Sequence, residues 1–471
     1  MEGSSPCIDA TTTLFYRDKI AALHPAMFEP FHPKPATEDQ LLEALKSILV
    51  EAEDYPGGLI AGLKSADFRI EALARVRIHQ LSKNLEDIVV NDSRFLGDAV
   101  RAVMSGEFKG GFYPMFFAEK LVTRLLELDS PEGAIQWLTK VLHTPEADGQ
   151  MVTLIRGAPV TTSFDLFPRF RLVPVADLPD SRQKLSQTTF FPHSIGTSVL
   201  SQEVPSSALV VLYPKQPFLV ELEHPVPPQY AEDVEHIEDA ILALTIVGPR
   251  IVLRAGSWFN LDDPDLEAAS HSVISEPILE LIPQRWLESV QPLEAETARR
   301  AVEAFMSLHG SVKDKVRIAL SRLKLALCRH SVGDKALELA IAFETLLEDG
   351  GNSEMTHKIK VRTARLIGGS VAERERNAAI VGKTYEVRSA LVHKGQVDSS
   401  KLHKLRSGED KVSAEKVVAL AIDVCAKLIW EILRRQDIPD WAHFDIVEHS
   451  EPDGGLDRAS EATHRAADSG E

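Results

Sequence analysis

One segment in the last third of the chain carries start and stop signals for a long helix. Ser370, followed three residues later by Glu373, fits a capping box directly after the helix-breaking pair Gly368-Gly369. Gly395 stands where a helix would stop, because glycine adopts the left-handed conformation at little cost. The sequence therefore predicts a helix from about Val371 to Val392, long enough to lie in a core.

This helix places an arginine on a largely apolar face. Arg388 shares its stripe with Tyr385, and burying a guanidinium costs free energy unless an anion or a hydrogen-bond acceptor meets it. His393 follows five residues later, about 140° further round the helix. Arginine can hold a phosphate through two hydrogen bonds, and histidine can transfer a proton near neutral pH. The pair therefore suits phosphodiester chemistry that needs no metal.

The same two residues also have a purely structural interpretation. Arg388 would form a buried ion pair with Glu344, which lies beside the inward stripe of an earlier helix, and His393 would cap carbonyl groups at a helix end. The inward stripe of that earlier helix consists of Ala336, Ala340, Phe343 and Leu347.

The run from Tyr385 to Gly395 resembles the signature of the HEPN superfamily, in which an arginine, a polar residue and a histidine occur in this order. Four to six residues separate the arginine from the histidine in that signature. More narrowly, roughly residues 311–435 resemble the Apea-like HEPN group. The supporting features are Arg329 with Asp334, the helix over 336–347, the basic helix over 358–368, and the final helix with Arg388 and His393.

The resemblance implies a small helical bundle that commonly pairs two copies. Active members of the superfamily are metal-independent endoribonucleases, often in antiviral defence or toxin systems. Carried over by position, Arg388 would bind the scissile phosphate and His393 would act as general acid or base. Ser389 occupies the position after the arginine, where many active members have asparagine, aspartate or histidine. Glu344 and Tyr385 would be orienting or polar partners, with no metal and no cofactor.

Charge is unevenly distributed along the chain. The whole chain has a formal net charge of −18 from 52 Lys+Arg and 70 Asp+Glu. Residues 301–440 contain 24 Lys+Arg and 19 Asp+Glu, or +5, which leaves 28 against 51, or −23, for the remainder. Lys358, Arg362 and Arg365 follow helical spacing in this basic region and, with Lys394, are candidate RNA contacts. A solvated helix face is the alternative, and the acidic remainder argues against indiscriminate nucleic-acid binding.

Length and hydrophobic patterning predict a multidomain, mainly α protein. The 471 residues are enough for about three domains, and 44% of them are hydrophobic. We predict a helical N-terminal domain over 1–148, a mixed α/β middle domain over 149–295, and a HEPN-like helical domain over 296–440. An acidic tail over 441–471 is predicted to be disordered.

Several classes of protein are disfavoured by what the sequence lacks. No run approaches the roughly 18 apolar residues of a membrane span, and the first residues do not resemble a signal peptide. Cys7, Cys328 and Cys425 have neither a disulfide pattern nor metal-ligand spacing. The sequence also contains no phosphate loop and no dinucleotide glycine motif. We therefore expect a cytoplasmic protein without membrane partner or cofactor.

Three functional hypotheses follow. The first is an endoribonuclease that acts on RNA as a homodimer. The second is a non-catalytic HEPN module for dimerisation or for binding RNA or another partner, with the N-terminal and middle domains sensing an unidentified protein. The third is a structural protein of a helical assembly.

Overall fold

A computed structural model describes residues 36–446, apart from 66–67, 93–100, 112–113, 182, 186–204, 271–273, 275–290, 350–353, 399 and 407. The described part is mainly α-helical with two antiparallel sheets, which confirms the predicted mixed but mainly α class. None of its helices is both long and apolar enough to cross a bilayer. The chain divides into two compact units.

The first unit comprises residues 1–149, 214–226 and 261–272. Within it the rings of Phe117 and Trp137 are stacked, with centroids 5.0 Å apart. The helices are α1 (Glu38–Glu53), α2 (Leu59–Leu63), α3 (Phe68–Val90), α4 (Pro114–Leu128), α5 (Pro131–His143) and α7 (Pro264–Ala269). The strands are β1 (Arg101–Ser105), β2 (Phe108–Gly111) and β7 (Leu219–Glu221).

Strands β1 and β2 correct the prediction of a wholly helical region over 1–148. They form an antiparallel hairpin whose turn contains Gly106 with φ 66°. On its other edge β1 pairs with β7, where Val103 faces Leu219. This partner lies far along the chain, so local periodicity could not indicate the pairing.

The second unit comprises residues 150–213, 227–260 and 273–471. It contains a five-stranded sheet in the order β4-β5-β6-β3-β8, with a core that includes Leu154, Val210 and Trp258. The strands are β3 (Glu146–Arg156), β4 (Phe164–Phe167), β5 (Phe170–Pro174), β6 (Ser207–Pro217) and β8 (Leu253–Leu261).

Most helices of the second unit follow the sheet strands in the chain and form a bundle. Asp239, on the helix Gln229–Leu244, is buried and accepts hydrogen bonds of 2.8 Å from two nitrogens of Arg317, on the helix Gly310–Cys328. Lys313 of the latter helix lies 3.2 Å from Asp239, so charged contacts join the two helices. The helices are α6 (Gln229–Leu244), α8 (Ala295–Met306), α9 (Gly310–Cys328), α10 (Val332–Leu347), α11 (Met355–Ile367), α12 (Val371–Lys394), α13 (Ala414–Arg435) and α14 (Trp441–Ile446).

Helix α14 corrects the predicted start of the disordered tail at residue 441. Trp441 and Phe444 are buried and their rings are perpendicular, with centroids 5.3 Å apart. Asp445 is bound by Arg362 of α11. The two aromatic rings and one ion pair therefore order a segment whose overall composition is polar. The rest of the predicted tail, 447–471, lies outside the described residues.

Candidate active site

Helix α12 carries the arginine and histidine and has the ends that the sequence predicts. The Ser370 hydroxyl accepts from the Glu373 amide, and the Glu373 carboxylate accepts from the Ser370 amide, which completes the capping box. The helix continues to Lys394, and Gly395 ends it with φ 70°. It is thus two residues longer than predicted.

Tyr385, Arg388 and Glu344 meet between α12 and α10. The Tyr385 hydroxyl is 3.1 Å from Glu344 Oε1 and 3.4 Å from the carbonyl oxygen of Ala340. The Arg388 guanidinium lies over the Tyr385 ring, 5.9 Å from its centroid. Burial, with the nearby Glu344 charge, raises the pKa of Tyr385 above its ordinary value. The hydroxyl therefore keeps its proton and donates a hydrogen bond to an acceptor.

The Arg388 guanidinium is only loosely paired. Its Nη1 is 3.9 Å from Glu344 Oε1, at the outer limit of an ion pair, and its Nε is buried without a hydrogen-bond partner. A tight arginine–carboxylate pair has two bonds of about 2.7–2.9 Å. The side chain is 36% exposed. Arg388 is therefore half-buried rather than enclosed, and it keeps donors with which it can bind an anion.

His393 lies in the last turn of α12 and is exposed, as are Ser389 and Lys394. At 1.5 Å per residue, the five residues from Arg388 correspond to a rise of about 7.5 Å along the helix. The helix therefore brings an open guanidinium and an accessible imidazole to the same end of the bundle. Lys394 adds a second cation there.

The basic residues predicted on α11 do not form one RNA-binding face. Arg362 is 1% exposed, and its guanidinium binds Asp349, Asp445 and the carbonyl oxygen of Leu347. It also lies over the Trp441 ring, 5.1 Å from the centroid. The predicted RNA contact through Arg362 is therefore wrong, because that side chain is enclosed among acidic and aromatic partners.

The two neighbours of Arg362 on α11 also have protein partners. Lys358 lies 3.3 Å from Asp349, and Arg365 donates to the carbonyl oxygen of Asp445 at 2.8 Å. The Arg365 guanidinium lies 5.0 Å from the centroid of the Phe444 ring. Much of this face of α11 is therefore engaged by α14 and by the end of α10.

The connection after α12 contains a buried histidine that the sequence did not single out. His403 is 4% exposed, and its backbone pairs with that of Val412 in both directions. Its Nδ1 has no hydrogen-bond partner and lies 3.8 Å from Glu386 Oε2 on α12. A lone histidine in a polar loop carries no motif, so only the structure identifies its burial.

His403 leads to an expected pH dependence of stability. Burial and then Lys401 lower its pKa, Glu386 opposes them, and Lys383 lowers the pKa further. A histidine whose pKa is lower in the folded state contributes its full stabilisation above the unfolded-state pKa of about 6.5. That stabilisation is lost as the pH falls through the folded-state pKa. As the pH falls below about 6.5, we expect the free energy of unfolding to decline more steeply in the wild type than in His403→Gln. Urea titrations at several pH values measure this, and equal slopes for the two proteins would contradict it.

A glycine at the start of α10 sets the approach of the end of α12. A Cβ at Gly333 would lie 3.0 Å from Leu391 Cβ and 3.0 Å from Val397 Cγ2. These distances are shorter than ordinary van der Waals contact. The first turn of α10 therefore packs directly against the turn of α12 that precedes His393.

Among residues 36–446 that the structure describes, no three or more His, Cys, Asp or Glu side chains are close enough together to hold a metal ion. No family model matches the chain, and neither a curated protein nor a solved structure matches it.

Proposed function

We propose that this chain is a metal-independent endoribonuclease that cleaves RNA with Arg388 and His393. The observation that carries the proposal is Arg388, whose side chain is 36% exposed and only loosely paired with Glu344, about one and a half turns from the exposed imidazole of His393. The resemblance of the run from Tyr385 to Gly395 to HEPN ribonucleases supports the same chemistry.

The proposed reaction is an internal transfer at the phosphodiester. The ribose 2′-oxygen attacks phosphorus, the bond to the 5′-oxygen of the next nucleotide breaks, and a 2′,3′-cyclic phosphate remains. Arg388 binds the non-bridging oxygens and stabilises the negative charge of the phosphorane. His393 transfers a proton to or from one of the two reacting oxygens.

The proposal includes pairing of two copies, which rests on the resemblance. Pairing would bring a second Arg388 and His393 to a shared cleft. A role in antiviral defence or in a toxin-type system is proposed on the same ground.

Chelation tests the metal-independent chemistry. We expect purified protein to cleave mixed cellular RNA in excess EDTA, because the proposed charge stabilisation and proton transfer use side chains only. The fragments should carry 2′,3′-cyclic phosphate ends, which phosphatase cannot remove until acid opens the ring; only after both treatments can the ends be ligated. Cleavage that EDTA abolishes and Mg²⁺ restores would contradict the proposal.

A second candidate function is binding without cleavage. Val392 is 56% exposed between half-buried Leu391 and exposed His393, and Lys394 follows it. An apolar side chain beside cations favours contact with RNA or a protein partner. Retarded RNA in a gel-shift experiment, with no cleavage under the same conditions, would favour this function over the first.

A further inference from the structure

Glu344 is placed to take part in the reaction rather than only to orient Arg388. Its carboxylate is partly exposed, and both Tyr385 and Arg388 approach the same oxygen, Oε1. Neither of these contacts uses Oε2. The carboxylate is therefore held from one side by two α12 residues while its second oxygen is left to accept a proton.

Transfer at an RNA phosphodiester requires two proton movements on opposite sides of phosphorus. The 2′-hydroxyl must lose a proton as it attacks, and the departing 5′-oxygen must gain one. One imidazole can assist only one of these oxygens in a single step. His393 therefore needs a partner that accepts a proton, and Arg388 cannot be that partner because a guanidinium stays protonated in proteins.

We infer that Glu344 is the general base and His393 the general acid of the proposed reaction, both supplied by one chain. Glu344 takes the proton of the 2′-hydroxyl, the 2′-oxygen forms its bond to phosphorus, and the phosphorus–5′-oxygen bond breaks. Protonated His393 gives its proton to the 5′-oxygen. Arg388, which lies 3.9 Å from Glu344 and five residues before His393 on α12, holds the phosphate. The inference rests on the proposed function.

Other nearby groups fit the role of base less well. Tyr385 keeps its proton because burial raises its pKa. Glu386 is two residues from Arg388, about 200° round the helix, and its carboxylate binds Lys383 at 2.6 Å. Glu344 is thus the carboxylate that contacts both Tyr385 and Arg388 in the described structure.

The pH dependence of cleavage tests the assignment. In EDTA, we expect kcat/KM of the wild type to rise with the ionisation of a carboxyl group and to fall with the deprotonation of an imidazole. Glu344→Gln should reduce kcat/KM on the order of 10²–10⁴-fold and remove the acidic limb of the pH profile, in which kcat/KM rises with pH. Glu344→Asp should keep that limb at a lower rate. Glu303→Gln, at an exposed position of α8, is the matched control and should keep the wild-type profile.

A substrate with a good leaving group separates the two roles. The aryl oxygen of uridine 3′-(4-nitrophenyl phosphate) departs without a proton, so His393→Ala should lose far less activity on it than on RNA. Glu344→Gln should lose as much on it as on RNA, because the 2′-hydroxyl still needs a base. Recovery of Glu344→Gln with this substrate would overturn the assignment.

The outcomes distinguish this inference from the function on which it rests. RNA cleavage in EDTA with full activity of Glu344→Gln would overturn the base assignment and leave the ribonuclease in place. If the acidic limb of the wild-type profile had its midpoint at the pKa of an imidazole, the base assignment would also be overturned. That measurement needs no variant. Absence of EDTA-resistant cleavage by the wild type would overturn both. Circular dichroism establishes that each variant is folded before its rate is compared.

Discussion

His393→Ala should reduce RNA cleavage on the order of 10²–10⁴-fold, the usual contribution of a positioned acid or base. The side chain is exposed in the last turn of α12, so its removal should leave folding intact. The loss should appear mainly in kcat, because Arg388 would still hold the phosphate. Single-turnover cleavage of a labelled RNA in EDTA measures it.

The matched control for this variant is His309→Ala. His309 is also exposed in the second unit, and its side chain makes no capping hydrogen bond at the start of α9. The His309→Ala variant should cleave RNA at the wild-type rate and unfold at the wild-type temperature. Wild-type cleavage by His393→Ala would remove that histidine from the proposed mechanism.

Arg362→Ala should have the largest effect on stability. The change removes a guanidinium that binds Asp445 and Asp349 at 2.6 Å each and contacts the Trp441 ring. The carboxylates left behind are about a third exposed, so water compensates in part. We expect the free energy of unfolding to fall by roughly 2–4 kcal/mol, below the full cost of an isolated buried charge.

Denaturant titration measures this loss, and a double-mutant cycle with Asp445→Asn assigns it. The double variant should lose less than the sum of the single variants, because each single change leaves a partner unpaired. Arg365→Ala is the comparison, since Arg365 contacts the same segment from a more exposed position. A loss for Arg362→Ala no larger than that for Arg365→Ala would contradict the expected role of burial.

Helix α12 could be predicted because its signals are local. The capping box at Ser370 and the stop at Gly395 lie within the helix and its caps, and helical phase alone places Tyr385 and Arg388 on one face. Helical phase placed Glu344 beside the inward stripe of its own helix, and one interpretation paired it with Arg388; in the structure the two side chains are 3.9 Å apart. The looseness of that contact could not be predicted, because it depends on the spacing of two packed helices.

Arg362 and His403 could not be predicted, because their environments are made by distant residues. Helical spacing groups Arg362 with Lys358, but its burial depends on Asp445, which lies in a segment of polar composition. His403 is buried because a loop folds back along α12. Strand β1 has the same limitation, since its partner β7 is remote in the chain.

The close approach at Gly333 means that part of the geometry of the candidate site is encoded outside it. The residue touches neither the guanidinium nor the imidazole, but its missing side chain fixes how near two helix axes come. A larger residue at position 333 would push the first turn of α10 away from the turn of α12 that precedes His393. Residue volume at this position can therefore shift the proposed acid His393 without altering any group that is proposed to react.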